Sequence, residues 1–201
     1  MVTPEFLFDI GSPNAYLAHR VIPEIERRTG ARFLYVPCLL GGIFKATNNQ
    51  SPMVSNAAIP AKMAYEMLEM RRFVDRHGLS KFTMNPHFPV NTLLAMRMAV
   101  AADRIGRLGE YVEAAMRAMW EDGVKLDDPA AAVAAMSGAG FDGPALVASA
   151  AEPDVKSALV ANTERAVARG AFGVPTFFVG DDMWFGKDRL SQVEEAILAA
   201  R

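Results

Sequence analysis

The spacing of apolar positions changes period along the chain. Residues 5–10 (Glu5-Phe6-Leu7-Phe8-Asp9-Ile10) are mostly apolar with little alternation, the pattern of a central strand buried on both faces. A helical stripe of Leu17, Val21, Ile22 and Ile25 follows; Ser12 serves as N-cap, Pro13 as the first helical residue and Gly30 as the stop. Phe33 to Val36 reads as a second strand, closed by Pro37. Leu39 to Pro52 is rich in Gly and Asn and is expected to be a long loop leaving the sheet. From about residue 60 to 150 the period is helical throughout. Met63, Met67, Met70 and Val74 make one stripe, ending at Gly78. A proline-punctuated loop covers Phe82 to Asn91. Leu94, Met98, Ala101 and Ile105 make the next stripe, and Val112, Met116 and Met119 a third. Asp128-Pro129 and Gly143-Pro144 open two more helices, and Pro153 another through Val155, Leu159 and Ala166. Phe177–Val179 and Met183–Phe185 form a hairpin across Gly180-Asp181-Asp182. A last helix begins between Asp188 and Ser191, with Ser191-Gln192-Val193-Glu194 as a capping box.

One stretch fits its pattern badly. In Phe172-Gly173-Val174-Pro175-Thr176-Phe177-Phe178-Val179-Gly180 an apolar run follows a proline at the mouth of a strand, where a donating N–H is wanted. A cis Val174–Pro175 bond resolves the conflict, although only about 5–6% of X-Pro bonds in folded proteins are cis. Strand, turn and helix start at one end of the chain, with a Val-Pro strand, hairpin and helix at the other, form the layout of a thioredoxin-like α/β fold. In that fold the cis-proline loop lies beside the N-terminus of the first helix, and the active site lies between them. On this layout residues 1–50 and 153–201 make the thioredoxin-like domain, and 51–152 an inserted all-helical domain.

Composition narrows the function. In 201 residues, 51% are apolar, enough for a sizeable core. A formal net charge of −2 with no basic run gives no electrostatic case for nucleic acid. Apolar runs fall far short of the roughly 20 residues that span a bilayer, so no membrane partner is expected. The N-terminal residues lack a basic segment and a cleavage site, and the expectation is a cytoplasmic protein. A lone cysteine, Cys38, excludes an internal disulfide framework and reads as a small core residue at a strand end. His19 and His77 are expected on helix surfaces, and no pair of histidines has metal-ligand spacing. The methionine stripe over 63–74 reads as core whose first turn could wall an apolar site.

Two motifs carry a family resemblance. Phe8-Asp9-Ile10-Gly11-Ser12-Pro13-Asn14-Ala15-Tyr16-Leu17-Ala18 resembles the N-terminal signature of the 2-hydroxychromene-2-carboxylate isomerases. These group with the kappa-class glutathione transferases and, more distantly, with the DsbA-like oxidoreductases. Gly173 to Val179 and Met183 to Leu190 resemble the C-terminal signature of the same family. The resemblance implies a homodimer and a glutathione-dependent reaction on a small aromatic substrate. Lys187 departs from the small polar residue usual before Asp188, and a lysine there could pair with the γ-glutamyl carboxylate.

The chemistry follows from what the first helix lacks. Where a dithiol oxidoreductase carries Cys-x-x-Cys, this chain has Ser12-Pro13-Asn14-Ala15, so the sulfur would have to arrive with glutathione. Ser12 either only caps the helix or also donates to that sulfur, favouring a thiolate that free in water forms only near pH 8.5. Val174 either only turns the chain or offers its backbone to the cysteinyl unit, as an added strand would. Asp188 either caps a helix or, by resemblance, meets the γ-glutamyl ammonium with Arg189 in support. Asn49 matches a family asparagine near glutathione or substrate. Lys45, Asn85, His87 and Asn91 sit in loops that could rim the substrate pocket. The reading is an isomerase; a kappa-type transferase or peroxidase and a non-catalytic glutathione-binding module stand as alternatives.

Overall fold

A computed structural model describes residues 2–200. Four strands form one sheet in the order β2-β1-β3-β4: β1 (Glu5–Phe8), β2 (Leu34–Pro37), β3 (Thr176–Val179) and β4 (Asp182–Phe185). The two ends of the chain therefore share a sheet. β1 lies parallel to β2 and antiparallel to β3, with Phe6 opposite both Tyr35 and Phe177. Successive side chains of a strand point to opposite faces, and both faces of β1 are covered, which explains why Phe6, Leu7 and Phe8 are all apolar. Phe6 and Phe8 join Phe177 in the main core, with ring centroids 5.6 Å and 5.4 Å from Phe6. Leu7 faces the other way, into a smaller cluster with Val36, Cys38, Ile43, Val174 and Phe178.

The main-core face is covered by α1 (Pro13–Thr29) and α10 (Leu190–Ala199). Leu17, Val21, Ile22 and Ile25 of α1 are buried, and Gly30 ends it at φ 68°, a left-handed conformation that costs glycine least. Over the other face run α2 (Leu40–Thr47) and α9 (Pro153–Ala168). Between them in sequence lie α3 (Pro52–Ser55), α4 (Pro60–His77), α5 (Leu93–Arg104), α6 (Leu108–Trp120), α7 (Pro129–Gly138) and α8 (Gly143–Ser149). Met98, Ala101, Val112, Met116 and Met119 are buried, as their spacing predicts. Asp128 caps α7 by accepting from the Ala130 and Ala131 amides. No helix among the described residues is long and apolar enough to cross a membrane.

Four expectations are corrected. Leu39–Pro52 is not a loop, because Leu40–Thr47 is helical despite Gly41 and Gly42; Thr163 supports its entrance by accepting the Leu39 N–H at 3.0 Å. The methionine stripe of α4 is core only at its C-terminal end: Phe73 is the buried residue of that helix, Met70 and Val74 pack half-buried against the core, and Met67 is exposed. The C-terminal capping box does not form, because a 3-10 turn at Lys187–Arg189 puts Ser191 inside α10 rather than before it. His19 is not on the surface. Its ring lies buried between the Tyr35 hydroxyl, 2.9 Å from Nδ1, and Glu113 Oε2, 3.0 Å from Nε2.

That histidine sets a pH dependence. The hydrogen bond from His19, aided by Arg20 at 2.7 Å, pulls the Glu113 carboxyl from its ordinary 4.5 to about 2. A carboxyl depressed in the folded state stabilises it fully above the unfolded value, and that contribution is lost as pH falls through the folded one. Glu113 is half exposed, so screening keeps the contribution modest. Glu113→Gln should flatten the dependence of melting midpoint on pH between 4.5 and 2. An unchanged acid slope would show that the α1–α6 pairing contributes nothing to it.

Candidate active site at the head of the first helix

The site grows from the four residues that leave β1. Asp9 is buried, and its carboxylate accepts three hydrogen bonds: Gly11 N–H at 2.9 Å on Oδ1, and Leu40 N–H at 2.8 Å and the Thr92 hydroxyl at 3.0 Å on Oδ2. Ile10 is held from the helical layer on both sides of its peptide. Its N–H points at Met96 Sδ, 3.3 Å away, and its carbonyl accepts the Trp120 indole N–H at 2.8 Å. Gly11 must be glycine for space, since a Cβ would sit 2.6 Å from Thr92 Cγ2. Ser12 N–H then bonds Asp9 O at 3.0 Å, which turns the chain into α1.

Ser12 is 5% exposed. Its hydroxyl oxygen accepts the Ala15 N–H at 3.2 Å, so Ser12 is the helix cap. The same oxygen lies 3.4 Å from Val174 O, to which it donates. The two end motifs therefore meet, 162 residues apart in sequence, and the Val174–Pro175 bond is cis. A second cis bond, Phe88–Pro89, was not foreseen. No acidic side chain lies in the first turn of α1, leaving the positive end of the helix unopposed from within the helix.

Other candidates attach to this pair to different degrees. Pro175 O accepts Gly186 N–H at 2.9 Å, which brings the Lys187–Arg189 turn beside the proline loop. Lys187 is buried; its ammonium is engaged by Asp188 Oδ1 at 2.6 Å and lies 4.8 Å from the Phe73 ring centre of α4. Asp188 and Arg189 are exposed, and neither side chain caps a helix. The Asn49 amide donates to Phe172 O at 2.9 Å, tying the end of α2 to the segment before Val174. Lys45 is exposed on α2. Asn91 is exposed and accepts the Leu93 N–H at 3.0 Å at the head of α5, next to Thr92.

Asn85 does not rim a pocket. It is 3% exposed, and its amide nitrogen donates to Met119 O and Val124 O at 2.9 Å each, while its oxygen accepts His87 N–H. With donors and acceptor spent inside the fold, it organises the turn under α6. Cys38 is fully buried, and burial, reinforced by the Asp9 charge, pushes its thiol up to about 12. It is a core residue and supplies no nucleophile. No cluster of His, Cys, Asp and Glu among the described residues could hold a metal ion.

Asp9, Thr92, Met96 and Trp120 went unforeseen as parts of this site. One signal was readable: a carboxylate inside an apolar strand run must find donors if it is buried. Which donors it finds depends on helices far away in sequence.

A thioredoxin-like sheet, a cis-proline loop, and serine rather than cysteine at the head of the first helix define the class of protein. The chain belongs to the DSBA-like thioredoxin domain family, which matches residues 4–198. It is similar to 2-hydroxychromene-2-carboxylate isomerase of Pseudomonas sp. (strain C18), 28% identical over 98% of this chain and 91% of that one. It is similar to glutathione S-transferase kappa 1 of Homo sapiens, also 28% identical, over 94% of this chain and 87% of that one. Among solved structures, that of a selenomethionine 2-hydroxychromene-2-carboxylate isomerase aligns with a TM-score of 0.85 at 25% identity, covering 98% of this chain and 95% of that one.

Proposed function

We propose that this protein is a glutathione-dependent cis–trans isomerase of the 2-hydroxychromene-2-carboxylate isomerase type, acting in the degradation of aromatic compounds. The observation that carries the reading is the Ser12–Val174 contact: a hydroxyl at a helix N-terminus, 3.4 Å from a backbone carbonyl of the proline loop. The donor set fits a thiol cofactor, because a hydroxyl and a helix N-terminus stabilise a thiolate, and the buried Cys38 does not compete. Bound glutathione would supply the sulfur nucleophile that adds reversibly to a conjugated carbon and departs unchanged.

In this reading Ser12 holds the sulfur in its charged form and Val174 pairs its backbone with the cysteinyl unit. Asp188 receives the γ-glutamyl ammonium. Lys187, already bonded to Asp188, orients that carboxylate, and Arg189 supports it at the rim. Asn49 fixes the loop before Val174 through Phe172 O and borders both ligands, with Lys45 and Asn91 toward the substrate. We also propose that the helical insertion spans 51–152 and that the chain works as a cytoplasmic homodimer. Support for the dimer comes from α3, α4 and the turn between them, which leave Met53, Val54, Ile59, Tyr65 and Met67 exposed. Sedimentation of the wild type and of Met67→Asp tests it; a wild type that stays monomeric at all concentrations refutes it.

The kappa-type transferase is the second reading, supported by the 28% identity to the human kappa-class relative, the same figure as for the Pseudomonas isomerase. Turnover of 2-hydroxychromene-2-carboxylate with and without glutathione separates the two. The isomerase needs glutathione and leaves its concentration unchanged. Stoichiometric loss of glutathione into a conjugate establishes the transferase instead, and turnover without glutathione sinks both.

A further inference from the structure

We infer that Asp9 is a positioning residue that sets the Ser12–Val174 geometry by tying together the heads of three helices. This rests on reading Ser12 and Val174 as the glutathione site. Each of its hydrogen bonds reaches a different helix start. Gly11 precedes the cap of α1, Leu40 is the first residue of α2, and Thr92 is the cap residue of α5. None of these three helices carries an acidic residue in its first turn, so Asp9 is the acidic side chain bonded at all three heads. Burial pushes its carboxyl above the ordinary 3.8, and the bonds from Leu40, Gly11 and Thr92 work against that rise. It is also 1% exposed, so its oxygens depend on these donors rather than on water.

The arrangement has a direction. The backbone carbonyl of Asp9 holds Ser12 N–H, and its carboxylate Oδ1 holds the intervening Gly11 N–H, so main chain and side chain of Asp9 together fix the turn leading into the Ser12 hydroxyl. Oδ2 reaches outward to α2, which carries Lys45 and leads into Asn49, and to α5, which follows Asn91. One buried carboxylate thereby connects the residues proposed for glutathione with those proposed for the second substrate. A shift of Thr92 would reach Ser12 through a single side chain.

Thr92 offers the decisive test, because it touches this loop in two ways. Its hydroxyl bonds Asp9, and its methyl fills the space beside Gly11. Thr92→Val keeps the methyl and removes the donor, while Thr92→Ser keeps the donor and removes the methyl. If Asp9 positions the site, Thr92→Val should raise amide hydrogen exchange at Gly11 and Leu40 in the ligand-free protein by about tenfold or more. It should also weaken glutathione binding, read by calorimetry, by a similar factor. Thr92→Ser should restore both. Asp9→Asn, which sets an amide NH2 against one of the donors, should accelerate the same amides. The reverse order, with serine impaired and valine normal, would make Thr92 a packing residue and overturn the inference. Unchanged exchange at Gly11 and Leu40 in Thr92→Val and Asp9→Asn would overturn it as well. A wild type that binds no glutathione would refute the ligand reading, while the exchange data would still judge Asp9.

Discussion

Replacing Ser12 with alanine should slow turnover by about one to two powers of ten while leaving the protein folded. On the proposed reading the hydroxyl donates to the glutathione thiolate, and a hydrogen bond to a charged acceptor is worth about 1.5–3 kcal/mol. Ser12 also caps α1 through the Ala15 N–H, so stability should fall by about 0.5–2 kcal/mol. The two effects are separable. Cap loss appears in the melting midpoint, whereas loss of the sulfur contact appears as a higher titration midpoint of the bound thiol, followed by its low-ultraviolet thiolate absorbance. Ser12→Cys sharpens the test by placing a competing thiol where the glutathione sulfur is proposed to lie, open to a mixed disulfide. An alanine variant with normal turnover and an unmoved titration would reduce Ser12 to a cap, leaving activation to the helix N-terminus and the Val174 backbone.

Trp120→Ala should be the most destabilising single substitution among the residues around the site, costing about 3–5 kcal/mol. The indole is fully buried and packs against Phe82 and Phe88, with ring centroids 6.0 Å and 5.8 Å away. Against a total stability of about 5–15 kcal/mol this is a large share, and the melting midpoint should drop by about 6–20 °C. Trp120→Phe probes the hydrogen bond separately. It keeps much of the apolar volume but leaves Ile10 O, which receives the indole N–H at 2.8 Å, without its donor. That orphaned carbonyl should cost about 1–3 kcal/mol. A phenylalanine variant as stable as wild type would show that the indole contributes by packing alone.

How much of this was legible before folding varies with the range of the interaction. Pro13 after Ser12, Gly30 after an apolar stripe, and Asp128 before Pro129 are local signals, and each element they predict is present. The cis Val174–Pro175 bond was legible because a proline at a strand mouth conflicts with the strand around it, and the contact with Ser12 followed from the layout of the two ends. His19 and Met67 depart from the expectation for one reason. A stripe with helical spacing tells which residues share a face, not whether a neighbour covers it. α6 covers His19 with Glu113, whereas no neighbour buries Met67. Lys187 could be named from its position but not its orientation, which is fixed by Asp188 and by the Phe73 ring from another helix.

By itself the chain's order of residues determined the strands, most of the helices and the absence of a thiol at the head of the first helix, because caps, periodicity and residue chemistry act over a few positions. The tertiary structure alone decided that Leu40 and Thr92 converge on Asp9, that Met96 and Trp120 hold Ile10 from both sides, and that Asn85 is spent inside a turn. Those outcomes belong to buried polar groups. Each must find partners once water is excluded, and the partners come from whichever distant segments the packing of apolar faces brings within reach.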